Sequence, residues 1–292
     1  MGIRCRWSRV WLLIGWALAF PPLAAQEITW QASLSQALQA ARQGAKLVLV
    51  DVYTDWCHWC KVMEEKTYAD SRVAQALRKD FVAVKVNPEK DQAFAKRYPV
   101  SAFPTTLFLD EEGMVIHRIE GFQAPEEFLS TLKEAQQRQV ALRQAQETLA
   151  KDAKNIEANA VMARFFLQNQ APEKAQTHVD RILQADPEDK RKLQVDLLLS
   201  LGVAYGRARQ FDKAIATLKR VVAHPAAQGQ AREAEGWYFL GLAYLMDGKR
   251  EEGRSALERA RQHPKAPQAL REQALQILQR LAPAQEPEEG QR

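Results

Sequence analysis

Two cysteines separated by two residues, in the run Cys57-His58-Trp59-Cys60, are the side chains of this 292-residue chain best suited to chemistry. They directly follow a continuous apolar, β-branched stretch, Lys46 to Tyr53 (KLVLVDVY), and open a helical pattern that reaches about Thr67. A thiol at a helix N-terminus meets free N–H groups and the positive end of the helix dipole, which favours its thiolate. Cys57 is therefore the expected nucleophile. Cys60, one turn on, is placed to attack a mixed disulfide formed on Cys57, so the spacing permits thiol–disulfide exchange. The pair can also be read as half of a zinc site. That site would have to borrow two of the five histidines, because there is no second cysteine pair. A third reading is delivery of a soft cation through the cysteines and His58. Asp51 interrupts a strand otherwise fit for burial on both faces, and a carboxylate there needs an explanation.

The compartment bears on what these thiols can do. Arg4, Arg6 and Arg9 form a basic leader, Val10 to Phe20 an 11-residue apolar core, and Pro21-Pro22-Leu23-Ala24-Ala25 a helix-breaking end with small residues. Residues 1–25 thus read as a signal peptide cleaved after Ala25, with an uncleaved membrane anchor as the alternative. The apolar run is well short of the roughly 20 residues that span a bilayer. Cleavage leaves 38 basic against 36 acidic residues, so nucleic acid is not an expected partner. It also removes Cys5 and leaves only Cys57 and Cys60, which rules out a structural disulfide framework. Export exposes that pair to an oxidising environment. Hydrophobic residues at 46% and charged residues at 26% are an ordinary globular balance, which excludes collagen-like and wholly disordered chains.

The elements that must position the pair alternate. Ser33 to Gln43 has a helical period (Leu34, Ala37, Leu38, Ala41), with Gly44 as the expected C-cap. The strand at 46–53 is followed by the helix from Cys57, a second helix at about Ser71 to Lys79, and a strand at Phe81 to Val86. Residues 105–110 and 114–119, separated by Glu111-Glu112-Gly113, read as a hairpin, and a helix starts at Pro125. The first part, residues 26–135, is an α/β domain with a small mixed sheet.

Beyond residue 135 the chain turns to Ala, Gln, Leu, Arg and Glu and reads as all-α: a linker helix at 136–156, then repeats over 157–282. Ala163, Gly202 and Gly241 lie 39 apart, and Pro187, Pro225 and Pro264 lie 38 and 39 apart. Leu201-Gly202-x-x-Tyr205 matches Leu240-Gly241-x-x-Tyr244; Ala214 and Gly253 follow each glycine by twelve, and Trp237 precedes Gly241 by four. These units resemble the tetratricopeptide repeat, stretched beyond 34 residues, with a degenerate first unit (Met162-Ala163, Phe166) and a capping helix at 267–281. Trp237, Tyr205 and Tyr244 are expected in helix packing, and His117, His178, His224 and His263 carry no assigned chemistry. The tail 283–292, with Glu286, Glu288 and Glu289, is expected to be disordered.

The segment VDVYTDWCHWCK resembles the active-site segment of thioredoxins, and YPVSAFPTTLFLDEEGMV resembles the segment that faces it; the likeness covers roughly residues 30–135. The resemblance implies that Asp51 is the buried acid that assists proton transfer, and that Lys85 in FVAVKVN is its neighbouring lysine. It also implies that Pro104 is cis and, with Phe103 and Thr105, closes one side of a substrate site that includes Trp56, His58 and Trp59. The chain departs from thioredoxins in having His58-Trp59 between the cysteines, which leaves the redox potential open. The pattern DWCHWCKVMEEKTYADSRV is closer to a subgroup that includes the C-terminal domain of the bacterial transmembrane thiol-disulfide interchange protein, whose members are often exported and often donate electrons.

The expected protein is therefore an exported, periplasmic or secreted thiol-disulfide oxidoreductase. It needs no cofactor or metal beyond the Cys57–Cys60 pair, exchanges disulfides with protein substrates, and holds a partner protein on its helical repeats. A membrane reductant would recycle the pair. The competing expectation is a non-catalytic adaptor that uses both modules for binding.

Overall fold

The computed structural model describes residues 27–281; the leader expected over 1–25 and the tail expected over 283–292 lie outside them. Strand β1 (Trp30–Gln31) leads into helix α1 (Leu34–Gly44), which Ser33 caps by accepting from the Gln36 N–H. The residue that leaves this helix in the left-handed conformation is Ala45 (φ 49°), not Gly44, so the expected C-cap is displaced by one. The buried strand β2 (Leu47–Val52) follows, then α2 (His58–Val62), which widens into a π-helical turn over Met63–Tyr68. Helix α3 (Ser71–Asp80), capped by Asp70, leads to β3 (Phe81–Val86), α4 (Gln92–Arg97) and the hairpin β4 (Thr105–Leu109) and β5 (Val115–Glu120).

The five strands lie in the order β1-β3-β2-β4-β5, with β1, β3 and β2 parallel and β4 and β5 antiparallel to their neighbours. Because side chains alternate along a strand, β2 sorts its residues onto two faces. Val48, Val50 and Val52 pack with Ala37 and Ala41 of α1 and Phe94 of α4. Leu47 and Leu49 pack on the other face with Met63, Tyr68, Val73 and Leu77, and with Phe128 and Leu132 of α5 (Pro125–Lys151). Asp51 shares the parity of Leu47 and Leu49 and so faces the second layer.

Helix α5 runs for 27 residues, about 40 Å, without a break. The boundary expected at residue 135 therefore falls inside it. The helix expected over 136–156 is its C-terminal part, ending at Lys151 before α6 (Ile156–Gln168) begins. Ala135 and Ala145 of α5 and Ala158, Met162 and Phe165 of α6 belong to the same buried cluster as Leu49 and Phe108, so the sheet and the first of the following helices share one core.

The rest is helical: α6 pairs with α7 (Pro172–Ala185), α8 (Gln194–Arg207) with α9 (Phe211–Ala223), and α10 (Ala231–Met246) with α11 (Arg250–Gln262); α12 (Gln268–Leu281) follows. The small residues of the 39-residue pattern are where the paired helices touch. A Cβ on Gly202 would stand 2.6 Å from Leu218 Cγ, and one on Gly241 would stand 2.7 Å from Leu257 Cγ. Ala163 and Ala214 are fully buried, as is Tyr205, while Trp237 and Tyr244 are only partly so. Among the described residues no helix is long and apolar enough to cross a membrane.

Candidate active site

Strand β2 ends at Val52, the Tyr53 N–H donates to Val86 O, and the Cys57 N–H closes a turn onto Thr54 O at 3.2 Å. This turn delivers Cys57 to the N-cap of α2, where its Sγ accepts from the Cys60 N–H at 3.1 Å. A sulfur held there meets the donor that a thiolate needs. Cys57 and Cys60 are joined in a disulfide with their Cα atoms 5.3 Å apart, and both are largely buried. Cys60 and Met63 are three apart and share a face of the helix. Met63 is buried against the layer that holds Leu49, so Cys60 looks onto the same side of β2 as Asp51.

The β-ladder sets Asp51 level with Lys85 on β3 and Thr106 on β4. Parity with Phe81, Ala83 and Phe108 turns all three toward the α2 layer. Asp51 is 5% exposed, and burial pushes its pKa up to about 6 against the pull of the Lys85 charge and the Tyr68 hydroxyl, with Glu64 adding a small upward push. A carboxyl that titrates near neutrality is suited to exchange a proton with a thiol. Lys85 is only partly buried. Its ammonium pairs with Glu64 and stands 4.8 Å from the centre of the Trp30 ring, so it acts on Asp51 by its field while bonded elsewhere.

Tyr68, Glu64, Trp30 and Thr106 are members of this cluster that sequence reasoning missed. The π-helical turn carries Glu64 and Tyr68 there, and Tyr68 is clasped edge-on by Trp30 and Phe128. Its hydroxyl faces Asp51 and Thr106, and burial pushes its ionisation well above the ordinary phenol range. Even so, neither it nor the Thr106 hydroxyl completes a hydrogen bond of full geometry, and the same holds for Thr54 Oγ1 and Asn87 Nδ2.

The Phe103–Pro104 bond is cis, and Pro104 is buried. Thr105, expected at the substrate site, is 0% exposed and donates its hydroxyl to Ala102 O at 2.7 Å, so its side chain braces the loop. Phe103 remains partly exposed against the Trp56 indole, 5.8 Å between ring centres. Trp56 and Trp59 are exposed, and the exposed His58 ring stands edge-on to Trp59. Among the described residues, no group of three or more His, Cys, Asp or Glu converges as a cation site would require.

The site thus combines a parallel core extended by an antiparallel hairpin, a disulfide at the helix that follows the central strand, and a cis-proline before β4. Residues 34–136 match the family described as a thioredoxin-like domain, and the chain carries a domain of that class. It is 35% identical over 115 residues to the thiol:disulfide interchange protein DsbD of Ralstonia nicotianae, covering 38% of this chain and 19% of that protein. It is 39% identical over 117 residues to DsbD of Haemophilus ducreyi, covering 38% and 20%. The chain thus spans about a fifth of the length of the curated relatives it matches. Among solved structures, the oxidised C-terminal domain of DsbD from Neisseria meningitidis aligns with 38% of this chain and 99% of its own at 25% identity, with a TM-score of 0.32.

Proposed function

We propose that this protein is an exported thiol-disulfide oxidoreductase that reduces disulfides in protein substrates. The observation that carries the reading is the Cys57–Cys60 disulfide at the start of α2, on the side of β2 that holds a buried Asp51 with a pKa near 6. In the dithiol form the Cys57 thiolate attacks one sulfur of a substrate disulfide. The substrate S–S bond breaks, a mixed disulfide forms, and the first substrate thiolate leaves and takes a proton from solvent. Cys60 then gives its proton to Asp51 and attacks Cys57 Sγ, breaking the mixed disulfide. The second substrate thiolate leaves and is protonated. Two electrons have passed to the substrate, and the protein holds the disulfide described here. A membrane dithiol donor would return it to the reduced form. The names of the relatives support exchange chemistry, and the basic and apolar leader at 1–25 supports export to the periplasm.

The helical pairs beyond α5 are the proposed docking surface for a partner protein, of tetratricopeptide type. Support comes from the 39-residue recurrence of Gly202 and Gly241 at helix contacts. The test of the exchange reading is covalent capture. Reduced Cys60→Ser protein, mixed with insulin, is expected to accumulate a mixed disulfide through Cys57, while Cys57→Ser protein accumulates none. Equal labelling of both variants, or of neither, would leave an adaptor role as the better account.

A further inference from the structure

Three polar side chains are shut away together on the α2 side of the sheet: Asp51, Tyr68 and Thr106 are 5%, 6% and 1% exposed. The ladder sets Asp51 level with Thr106, and the Tyr68 hydroxyl faces both. The side chains packed around them from β2, the π-helical turn and α5 are apolar, Leu49, Met63, Phe128 and Leu132. The charged groups that act on Asp51 are Lys85 of β3 and Glu64 of the π-helical turn, and the Cys60 thiol of α2 is the group whose proton it would take. The Lys85 ammonium is bonded to Glu64, which leaves the Tyr68 O–H as the side-chain donor for a direct bond to the Asp51 carboxylate.

The Tyr68 ring is fixed, but its hydroxyl is not. Trp30 stands 5.2 Å from the ring at 76° and Phe128 5.7 Å at 81°, two edge-on contacts that hold it in place. Rotation about the Cζ–Oη bond remains free, and the hydroxyl has one proton for two acceptors, the Asp51 carboxylate and Thr106 Oγ1. Packing gives no reason for that hydroxyl. Phenylalanine would fill the same place, and a buried hydroxyl that completes no bond costs stability. Of the two acceptors only Asp51 changes charge. Donation to its carboxylate is charge-assisted and stronger than donation to a neutral oxygen, and this advantage disappears when Asp51 is protonated.

We propose that Tyr68 is a positioning residue for the exchange reaction: its hydroxyl donates to the Asp51 carboxylate that awaits the Cys60 proton, and turns to Thr106 once Asp51 has taken that proton. The inference rests on the exchange reading above and adds the group that prepares its base. In the waiting state the bond from Tyr68 occupies one carboxylate oxygen and leaves the other for the proton. In the transfer the Cys60 S–H bond breaks and an O–H bond forms on Asp51. The Tyr68 O–H bond stays whole, and only its direction changes. Tyr68 thus favours ionised Asp51, whereas Thr106 opposes it by competing for the same hydrogen.

The test uses the full chain and two substitutions of nearly equal volume, Tyr68→Phe and Thr106→Val, whose expected effects have opposite signs. The Asp51 carboxyl is titrated by carbon-13 NMR in the oxidised protein, and resolution of a Cys57-linked mixed disulfide is followed across pH 5–8. A hydrogen bond to a charged group is worth about one pH unit, so Tyr68→Phe is expected to raise the titration midpoint by that much. Resolution then becomes about tenfold slower at pH 5 and equals the wild-type rate near pH 8. Thr106→Val is expected to lower the midpoint and to speed resolution at pH 5. An unmoved midpoint in Tyr68→Phe, or a rate lowered by the same factor at every pH, would overturn the proposal. So would a midpoint that rises or stays in Thr106→Val, which decides alone if Tyr68→Phe folds poorly. Midpoints that shift as expected in a protein that resolves no mixed disulfide would overturn the exchange reading, and the part of Tyr68 in it.

Discussion

Asn169, at the end of α6, holds both backbone groups of Val115 at the start of β5: its Oδ1 accepts from the Val115 N–H at 2.6 Å and its Nδ2 donates to Val115 O at 2.9 Å. One side-chain amide thus stands where another strand would pair on the edge of the sheet, and it ties the helices beyond α5 to the sheet. Val115 is paired with Leu109, at the end of the hairpin away from Pro104 and the disulfide. The helices are therefore fastened at the pole of the sheet opposite the candidate site.

Removing that amide strands two backbone groups in a part-buried place. Asn169→Ala is expected to cost about 1–3 kcal/mol by urea denaturation, the usual range for leaving such groups unpaired. A change indistinguishable from zero would mean that the shared core alone holds the two halves together.

The buried Asp51 carboxyl sets a stability trend with a definite sign. Its folded pKa of about 6 lies above the 3.8 of the unfolded chain, so the folded state holds the proton more tightly. The associated stability is fully present below pH about 4 and is lost as pH rises through about 6, up to about 3 kcal/mol. Asp51→Asn cannot ionise. It is expected to match the wild-type oxidised protein near pH 4 and to exceed it by a few kcal/mol at pH 7.5, measured by urea denaturation at both values. A stability difference independent of pH would contradict this.

The same group should leave its mark on kinetics. Resolution of a mixed disulfide by Cys60 is expected to rise with pH through an apparent pKa near 6, and that limb should vanish in Asp51→Asn. Lys85 lowers the Asp51 pKa by its charge, so Lys85→Ala is expected to move the limb upward. Stopped-flow turnover of a Cys57-linked adduct across pH 5–8 reads both effects.

Close contacts between the paired helices are equally open to test. Alanine in place of an exposed helical glycine usually stabilises by up to about 1 kcal/mol. At Gly241 the new Cβ would meet Leu257 Cγ at 2.7 Å and Gly253 O at 3.1 Å, so Gly241→Ala is expected to destabilise by about 1–3 kcal/mol instead. Thermal denaturation decides the sign.

What the sequence made legible follows from how local each signal is. Strand β3 is found at the residues its apolar run predicts, and α5 starts at Pro125, because burial on both faces and a proline at a helix start are written in consecutive residues. The π-helical turn at Met63–Tyr68 is not written that way: its extra residue per turn shifts the phase of the helix, and the expected helix stops at about Thr67, one short of Tyr68, which sits at 6% exposure beside Asp51. Lys85 was visible as a charge in a strand, but its partners Glu64 and Trp30 come from elements far along the chain. His224 and His263 read as scattered, yet they lie 39 apart and do the same work. Each ring accepts at Nδ1 from the N–H two residues on, and each turns Nε2 to a residue of an earlier helix or its entry, Gln194 and Glu233, themselves 39 apart. Asn169 had no signal, since a side chain that replaces a strand is visible only once the sheet edge is known.

The measurement that bears most directly on the central claim is redox equilibration of the protein in glutathione or dithiothreitol buffers of graded ratio, read by alkylation mass shift. The account expects one two-electron transition between the Cys57–Cys60 disulfide and the dithiol, with a midpoint closer to the about −270 mV of thioredoxin than to the −120 to −180 mV of dedicated oxidants and isomerases. A pair that stays locked across the whole range would contradict exchange chemistry, and a midpoint at the oxidising end would contradict its direction.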